Sequence, residues 1–184
     1  MLKIIPELTK RQLFENETID RWKSYGLSPK LNIPIPKGKR YIDIGCGSHA
    51  WEKVKQEFWA LDCVKKELPV RFIEECFPHT TLPDSYFDVV FCIDLIAELP
   101  KNLYRLAMSE LSRILKPEGK LVISTELDLR TKEPARYFCD LIRCEFEIVE
   151  SFPKYRFFWE KLLFPQKCYH LTLITKKKEL LRFD

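Results

Sequence analysis

Residues Lys37–Asp62 read KGKRYIDIGCGSHAWEKVKQEFWALD, and this stretch decides the fold. A strand-forming run from Arg40 to Ile44 carries Asp43 near its end and enters a tight turn, Gly45-Cys-Gly47. A second apolar run, Phe58–Leu61, ends in Asp62. The chain has only five glycines, and two of them stand in this turn, so the pair is expected to serve backbone geometry. Open parallel sheets bind ligands beyond the carboxyl ends of their strands. Asp62 presents two acceptor oxygens there, which suit the vicinal hydroxyls of a ribose. The turn lacks the third glycine of GxGxxG, since it continues Ser48-His49-Ala50. A cradled pyrophosphate is therefore disfavoured, and with it a nicotinamide-dependent oxidoreductase. A nucleoside without phosphate fits better.

Outward from this stretch, strands and helices alternate. ENETIDRWKSY, around Glu15 to Tyr25, reads as a helix with Ile19 and Trp22 on one face. LSPKLNIPIPKGK reads as a linker. His49–Phe58 is expected to form a short helix, and Leu68–Ile73 a third strand. YFDVVFCID holds a fourth strand, apolar without alternation, as in a strand buried on both faces. Asn102–Leu115 is the best helix, with Leu103, Leu106, Ala107, Leu111, Ile114 and Leu115 in one stripe. KPEG ends it, and Lys120–Ser124 is a fifth strand. Pro134–Leu141 reads as a helix, and Glu145–Glu150 and Tyr169–Thr175 as late strands. The pattern predicts an α/β fold with a mostly parallel sheet and an antiparallel edge.

The 184 residues, 46% hydrophobic, suit one domain: an N-terminal helix and linker over 1–38, a core over 39–125, and C-terminal strands with an aromatic connection over 126–184. Net charge is +4, with 31 Lys+Arg against 27 Asp+Glu, so the field does not demand a nucleic-acid partner. Lys176-Lys-Lys178 reads as a solvated tail. Seven cysteines and no long apolar N-terminal run point to free thiols in a reducing cytoplasm. No run approaches the ~20 apolar residues of a membrane span.

Four segments, YIDIGCGS, WALD, LPDSYFDVVFCIDLIAELP and SELSRILKPEGKLVIST, occur in this order between Lys39 and Thr125. Together they resemble class I S-adenosylmethionine-dependent methyltransferases of a compact, type 11-like branch. The resemblance implies a Rossmann-like, doubly wound, seven-stranded sheet with an antiparallel last strand. It implies that Asp43 faces the amino-acid end of S-adenosylmethionine and that Gly45, Cys46 and Gly47 run beneath its methionine part. Asp62 would hold the ribose, with Cys63 beside the adenine. The usual acid near adenine N6 aligns with Cys76, so that contact would pass to Glu75 or to the backbone of Cys76 and Phe77. Cys92 and Ile93 would line the floor. Only Cys63–Pro69 separates Asp62 from the third strand, so one pocket wall is trimmed. That leaves two readings: an enzyme whose N-terminal segment around Trp22 and Tyr25 completes the pocket, or a cofactor-binding module without turnover.

The acceptor is less defined. The Asn-Pro-Pro-aromatic loop of amino-group methyltransferases would follow Cys92, where the chain has Ile93-Asp-Leu-Ile96. Asp94 and Glu98 are the candidate catalytic residues, as a base or as anions for a cationic acceptor; both also suit plain loop or helix-start roles. His49 follows the glycine turn and reads as a helix-start polar residue rather than a base; His79 and His170 show no partner in the pattern. Cys46, Cys63, Cys76 and Cys92 fall at successive strand ends, but without a CxxC pair they are expected to line a pocket rather than bind metal. Tyr155, Phe157, Phe158, Trp159 and Phe164 would form a lid, core or partner surface; Lys154 and Arg156 among them would suit an acidic acceptor or stacked RNA. A small-molecule acceptor is preferred over nucleic acid or protein.

Overall fold

The computed structural model describes residues 36–47, 57–65, 67–127, 134–154 and 170–178. The expected helices near 15–25 and 49–58 and the aromatic connection over 155–168 lie outside these residues, apart from the two residues at 57–58, which are strand. Seven strands form one sheet: β1 Arg40–Ile44, β2 Glu57–Asp62, β3 Arg71–Glu74, β4 Phe87–Ile93, β5 Leu115–Glu126, β6 Phe146–Lys154 and β7 His170–Lys177. Their order is β3-β2-β1-β4-β5-β7-β6. Neighbours from β3 through β5 pair in parallel, and β7 pairs antiparallel with both β5 and β6. Only β7 therefore runs against the rest, as the late strand pair predicts. The order reverses between β1 and β4, which opens a crevice at their carboxyl ends.

Strand alternation sorts the side chains onto two faces. Ile42, Ile44, Trp59, Leu61, Val90 and Cys92 join the larger core, with Ala107, Met108 and Leu111 of α1 (Tyr104–Ile114) and Phe138 of α2 (Pro134–Ile142). Tyr41, Phe58, Val89, Phe91, Val122 and Ile174 pack on the other face. There the Tyr41, Phe58 and Phe91 rings stack, with centroids 6.3–6.4 Å apart. Between Asp62 and Arg71 the described residues form bends and no helix, in line with the trimmed wall. Among the described residues no helix is long and apolar enough to cross a membrane.

α1 departs from the expected stripe at one position. Met108 is fully buried, whereas Leu106 is 40% exposed at the edge of the packed face. The helix ends against the loop before β4. Ser85 N–H and Tyr86 N–H donate to the carbonyls of Arg113 and Ile114, at 2.8 and 2.9 Å. These bonds satisfy acceptors that a helix end leaves without partners. Arg113 returns the link: its guanidinium donates to Leu82 O at 2.7 Å, to Glu110 at 2.7 and 2.8 Å, and to Asp84. LPDSYFD and SELSRILKPEG, far apart in sequence, thus form one clamp at the amino end of β4.

The fifth strand begins earlier than expected. Leu115 already pairs with Phe87, and pairing resumes at Val89 with Lys120. Lys116–Gly119 therefore bulges out opposite Asp88 alone. Asp88 gathers this junction: it accepts from Lys39 N–H at 3.0 Å, Arg40 N–H at 2.9 Å and Lys116 Nζ at 2.5 Å. The lysine run is not a solvated tail. Lys176 pairs with Glu118 at 2.9 Å, Lys177 Nζ donates to Leu115 O at 3.1 Å, and Lys178 Nζ to Arg143 O at 2.5 Å. Strand pairing carries the run to the folded body, where carbonyls and nearby acids receive it.

Candidate functional site

The glycine turn is welded to the neighbouring strand. Gly45 and Cys46 N–H groups both donate to Leu61 O, at 2.8 and 3.1 Å. Gly47 N–H donates to Asp62 Oδ2 at 2.9 Å, and Val64 N–H to Asp62 Oδ1 at 3.0 Å. Glu75 N–H closes the third strand onto the same residue through Asp62 O at 3.2 Å. Each Asp62 oxygen thus has one backbone donor fixing it, the Cys63 thiol is a further partner, and among the described residues the carboxylate keeps acceptor capacity for one more donor. The carboxylate is half-buried at the strand tip.

The two glycines differ in what they require. Gly45 has φ +71°, and a β-carbon there would come within 2.9 Å of Leu95 Cδ1. The turn therefore touches the loop that follows β4. Gly47 has φ +57°, and a β-carbon there would meet none of the described residues within 4 Å. Among the described residues its backbone stands open beside Asp62. Asp43 pairs with Ala60, two residues before Asp62, so both acids share one face of adjacent strands. From ordinary strand rise and spacing their Cα atoms are roughly 8 Å apart. Asp43 is buried at 5% exposure, and Asp62 forms the rim. An anion pair around an open glycine turn suits a ligand with an amine at one end and sugar hydroxyls at the other. It does not suit a phosphate.

The adenine-side residues separate into three groups. Cys63 contacts the side chains of Asp62 and Cys76; its thiol is pushed up to about 12, by burial first and then by these neighbours. The two half-buried thiols thus meet beside Asp62. The Glu75 carboxylate accepts Thr81 N–H at 2.7 Å and the Thr81 hydroxyl. Phe77 packs into the larger core. Of the floor residues, Cys92 is fully enclosed in that core, so its side chain supports the floor from below rather than surfacing it. Burial, then Asp43 and Asp94, raise its thiol well above the usual range. Cys46 is buried in the turn. No group of three potential metal ligands occurs among the described residues.

Asp94 adopts a left-handed conformation, φ +57°, at the end of β4 rather than starting a helix. Its N–H donates to Ser124 O at 3.0 Å, and Ser124 Oγ donates to Asp94 Oδ1 at 2.8 Å. Ser124 is fully buried on β5 and was not among the sequence candidates. Its signal is positional: a hydroxyl in an apolar strand, in register with Ile93 beside Asp94. Glu98 is exposed on a 3₁₀ turn, Ile96–Glu98. Burial, Tyr137 and Glu98 together raise the Tyr104 phenol, which places all three side chains in one neighbourhood at the start of α1 and α2. His79 N–H donates to Cys76 O at 3.1 Å, a turn-forming role.

A family model described as a methyltransferase domain matches residues 12–169. An uncharacterized protein of Methanocaldococcus jannaschii is 32% identical over 89 residues, which span 45% of this chain and 38% of that protein. Among solved structures, Burkholderia thailandensis 1,6-didemethyltoxoflavin-N1-methyltransferase, with its substrate and S-adenosylhomocysteine bound, superposes with TM-score 0.61 and 16% identity, covering 76% of this chain and 71% of that one. The putative methyltransferase of Haloferax volcanii, in complex with the Trm112 methyltransferase activator, gives TM-score 0.60 and 14% identity, covering 95% and 96%.

Proposed function

The chain belongs to the methyltransferase-domain family, and from that premise we infer that it binds S-adenosylmethionine across the tips of β1 and β2 and methylates a small-molecule acceptor. The observation that carries the reading is the Asp62 carboxylate, fixed at the strand tip by the Gly47 and Val64 N–H groups. The cofactor supplies an activated methyl group on a sulfonium. The protein's part is position and electrostatics, because the displacement needs an in-line nucleophile more than it needs a protein base. Asp62 accepts from sugar hydroxyls, the Gly45–Gly47 backbone lets the ligand lie close, and buried Asp43 attracts the ammonium end. Cys63 and Cys76 offer a soft, neutral wall for the base. Asp94 and Glu98 stand on the acceptor side.

The compact form of the domain is supported by the helix-free link between β2 and β3. A small acceptor is supported by the mild net charge of +4 and by the small heterocycle bound to the Burkholderia enzyme. Free thiols support a reducing, cytoplasmic setting. Calorimetry tests the cofactor assignment: Asp62→Ala is expected to weaken S-adenosylhomocysteine binding by about 1–3 kcal/mol, the loss of hydrogen bonds to a charged group. Unchanged affinity would remove Asp62 from the site. NAD is expected to leave the melting temperature unmoved while S-adenosylhomocysteine raises it, because only a ligand of the native state stabilises.

A further inference from the structure

Resting on that cofactor assignment, we propose that Ser124 holds Asp94 as the anion by which the site prefers the sulfonium of S-adenosylmethionine to its neutral thioether product. Three observations carry this. Asp94 is bonded twice to one residue of the neighbouring strand, through N–H to Ser124 O at 3.0 Å and through Oδ1 from Ser124 Oγ at 2.8 Å. That pair of bonds fixes both the backbone and the carboxylate in a left-handed conformation that few side chains adopt. Ser124 is itself fully buried beside two other buried hydroxyl residues, Thr125 and its cross-strand partner Thr172, and it is the one whose hydroxyl donates to Asp94.

The place of this acid matters as much as its rigidity. Leu95, the next residue, fills the space over Gly45 and ties the loop to the glycine turn. Asp43 stands on β1 and Asp94 at the end of β4, and the two strands are direct neighbours. Burial first, and then both carboxylates, raise the Cys92 thiol. Two negative groups thus flank the crevice where the sheet order reverses. A ligand that carries an extra positive charge on its sulfur gains from the second of them, and a ligand that has given up its methyl group does not. A fixed anion of this kind would speed product exchange without taking part in bond making.

Titration of S-adenosylmethionine and of S-adenosylhomocysteine, separately, into wild type, Asp94→Asn, Ser124→Ala and Ser124→Thr tests the proposal without any acceptor. Asparagine tolerates the left-handed backbone, so Asp94→Asn changes charge with little change of shape. The ratio of the two affinities is expected to fall about tenfold in Asp94→Asn, as for one charge-assisted contact, with S-adenosylhomocysteine affinity within about twofold of wild type. Ser124→Ala is expected to lower the ratio in the same direction, and Ser124→Thr to restore it. A ratio unchanged in Asp94→Asn, or equal weakening of both ligands in every variant, would overturn the role. Failure of wild type to bind either ligand would instead remove the cofactor assignment, and the role with it.

Discussion

Gly47 N–H donates to the Asp62 carboxylate at 2.9 Å, so the turn after β1 and the tip of β2 are one unit. The bond joins the two features that stand out in the sequence, a glycine pair and an acid fifteen residues later. It also sets what each contributes: the glycine supplies a donor, and the acid supplies an oriented acceptor.

Alanine at the two glycines is expected to separate conformational cost from packing cost. At Gly47 a methyl group meets none of the described residues, so the expected cost is the positive φ, about 1–2 kcal/mol. At Gly45 the same φ penalty is joined by a 2.9 Å approach to Leu95 Cδ1. Urea unfolding is expected to rank Gly45→Ala as the more destabilised, and Leu95→Ala in the same chain to recover part of the difference.

The amino end of the sheet gives a prediction in pH. Burial would raise the Asp88 carboxyl, but the Lys116 ammonium and the Arg40 and Lys39 N–H groups together hold it below the usual carboxylate range. A folded value below the unfolded one stabilises the fold above about pH 4, and that contribution is lost as pH falls through the folded value. Asp88→Asn is expected to cost about 1–3 kcal/mol at pH 7, with the gap to wild type in urea midpoints closing below about pH 4. A gap that stays constant down to pH 3 would contradict this.

Arg113 is expected to resist conservative exchange. Its fork spans Glu110, Leu82 O and Asp84, and a lysine reaches only one of these at a time. Thermal unfolding of Arg113→Lys is expected to show a loss of about 1–3 kcal/mol. Asp84 is 76% exposed, so Asp84→Ala is expected to cost less than about 1 kcal/mol.

The thiols should label in an order set by their surroundings. Cys144 is exposed, whereas the Cys63 thiol is pushed up to about 12 by burial, Asp62 and Cys76. At pH 8 the thiolate fraction at Cys63 is very small, and thiolate is the nucleophile. Peptide mapping after brief iodoacetamide treatment is expected to find Cys144 modified well before Cys63. Equal rates would contradict the enclosed contact between Cys63, Asp62 and Cys76.

Much of this architecture is legible in the sequence because it depends on local chemistry. β1, the turn and β2 follow from β-branched and aromatic runs stopped by glycine and acid. The apolar fourth strand announces burial on both faces, and the late strand pair announces the antiparallel β7. What escapes is set by partners distant in the chain. Lys176–Lys178 looks like a tail until β7 brings it to Glu118, Leu115 and Arg143. KPEG looks like a plain helix stop because nothing local shows that Leu115 already pairs with Phe87. Leu106 fits the helical period and still faces solvent, since the packed face of α1 turns toward Met108 instead. Ser124 is an ordinary strand residue until its register against β4 sets it beside Asp94. The bonds from Thr81 to the Glu75 carboxylate are likewise not visible in the pattern.

The most direct measurement is a crystal structure of the protein grown with S-adenosylhomocysteine. The ribose hydroxyls are expected within hydrogen-bond reach of Asp62, with the homocysteine part over the Gly45–Gly47 turn and its ammonium toward Asp43. A ligand bound elsewhere, or a space beyond the tips of β1 and β2 filled by the protein's own side chains, would contradict the account.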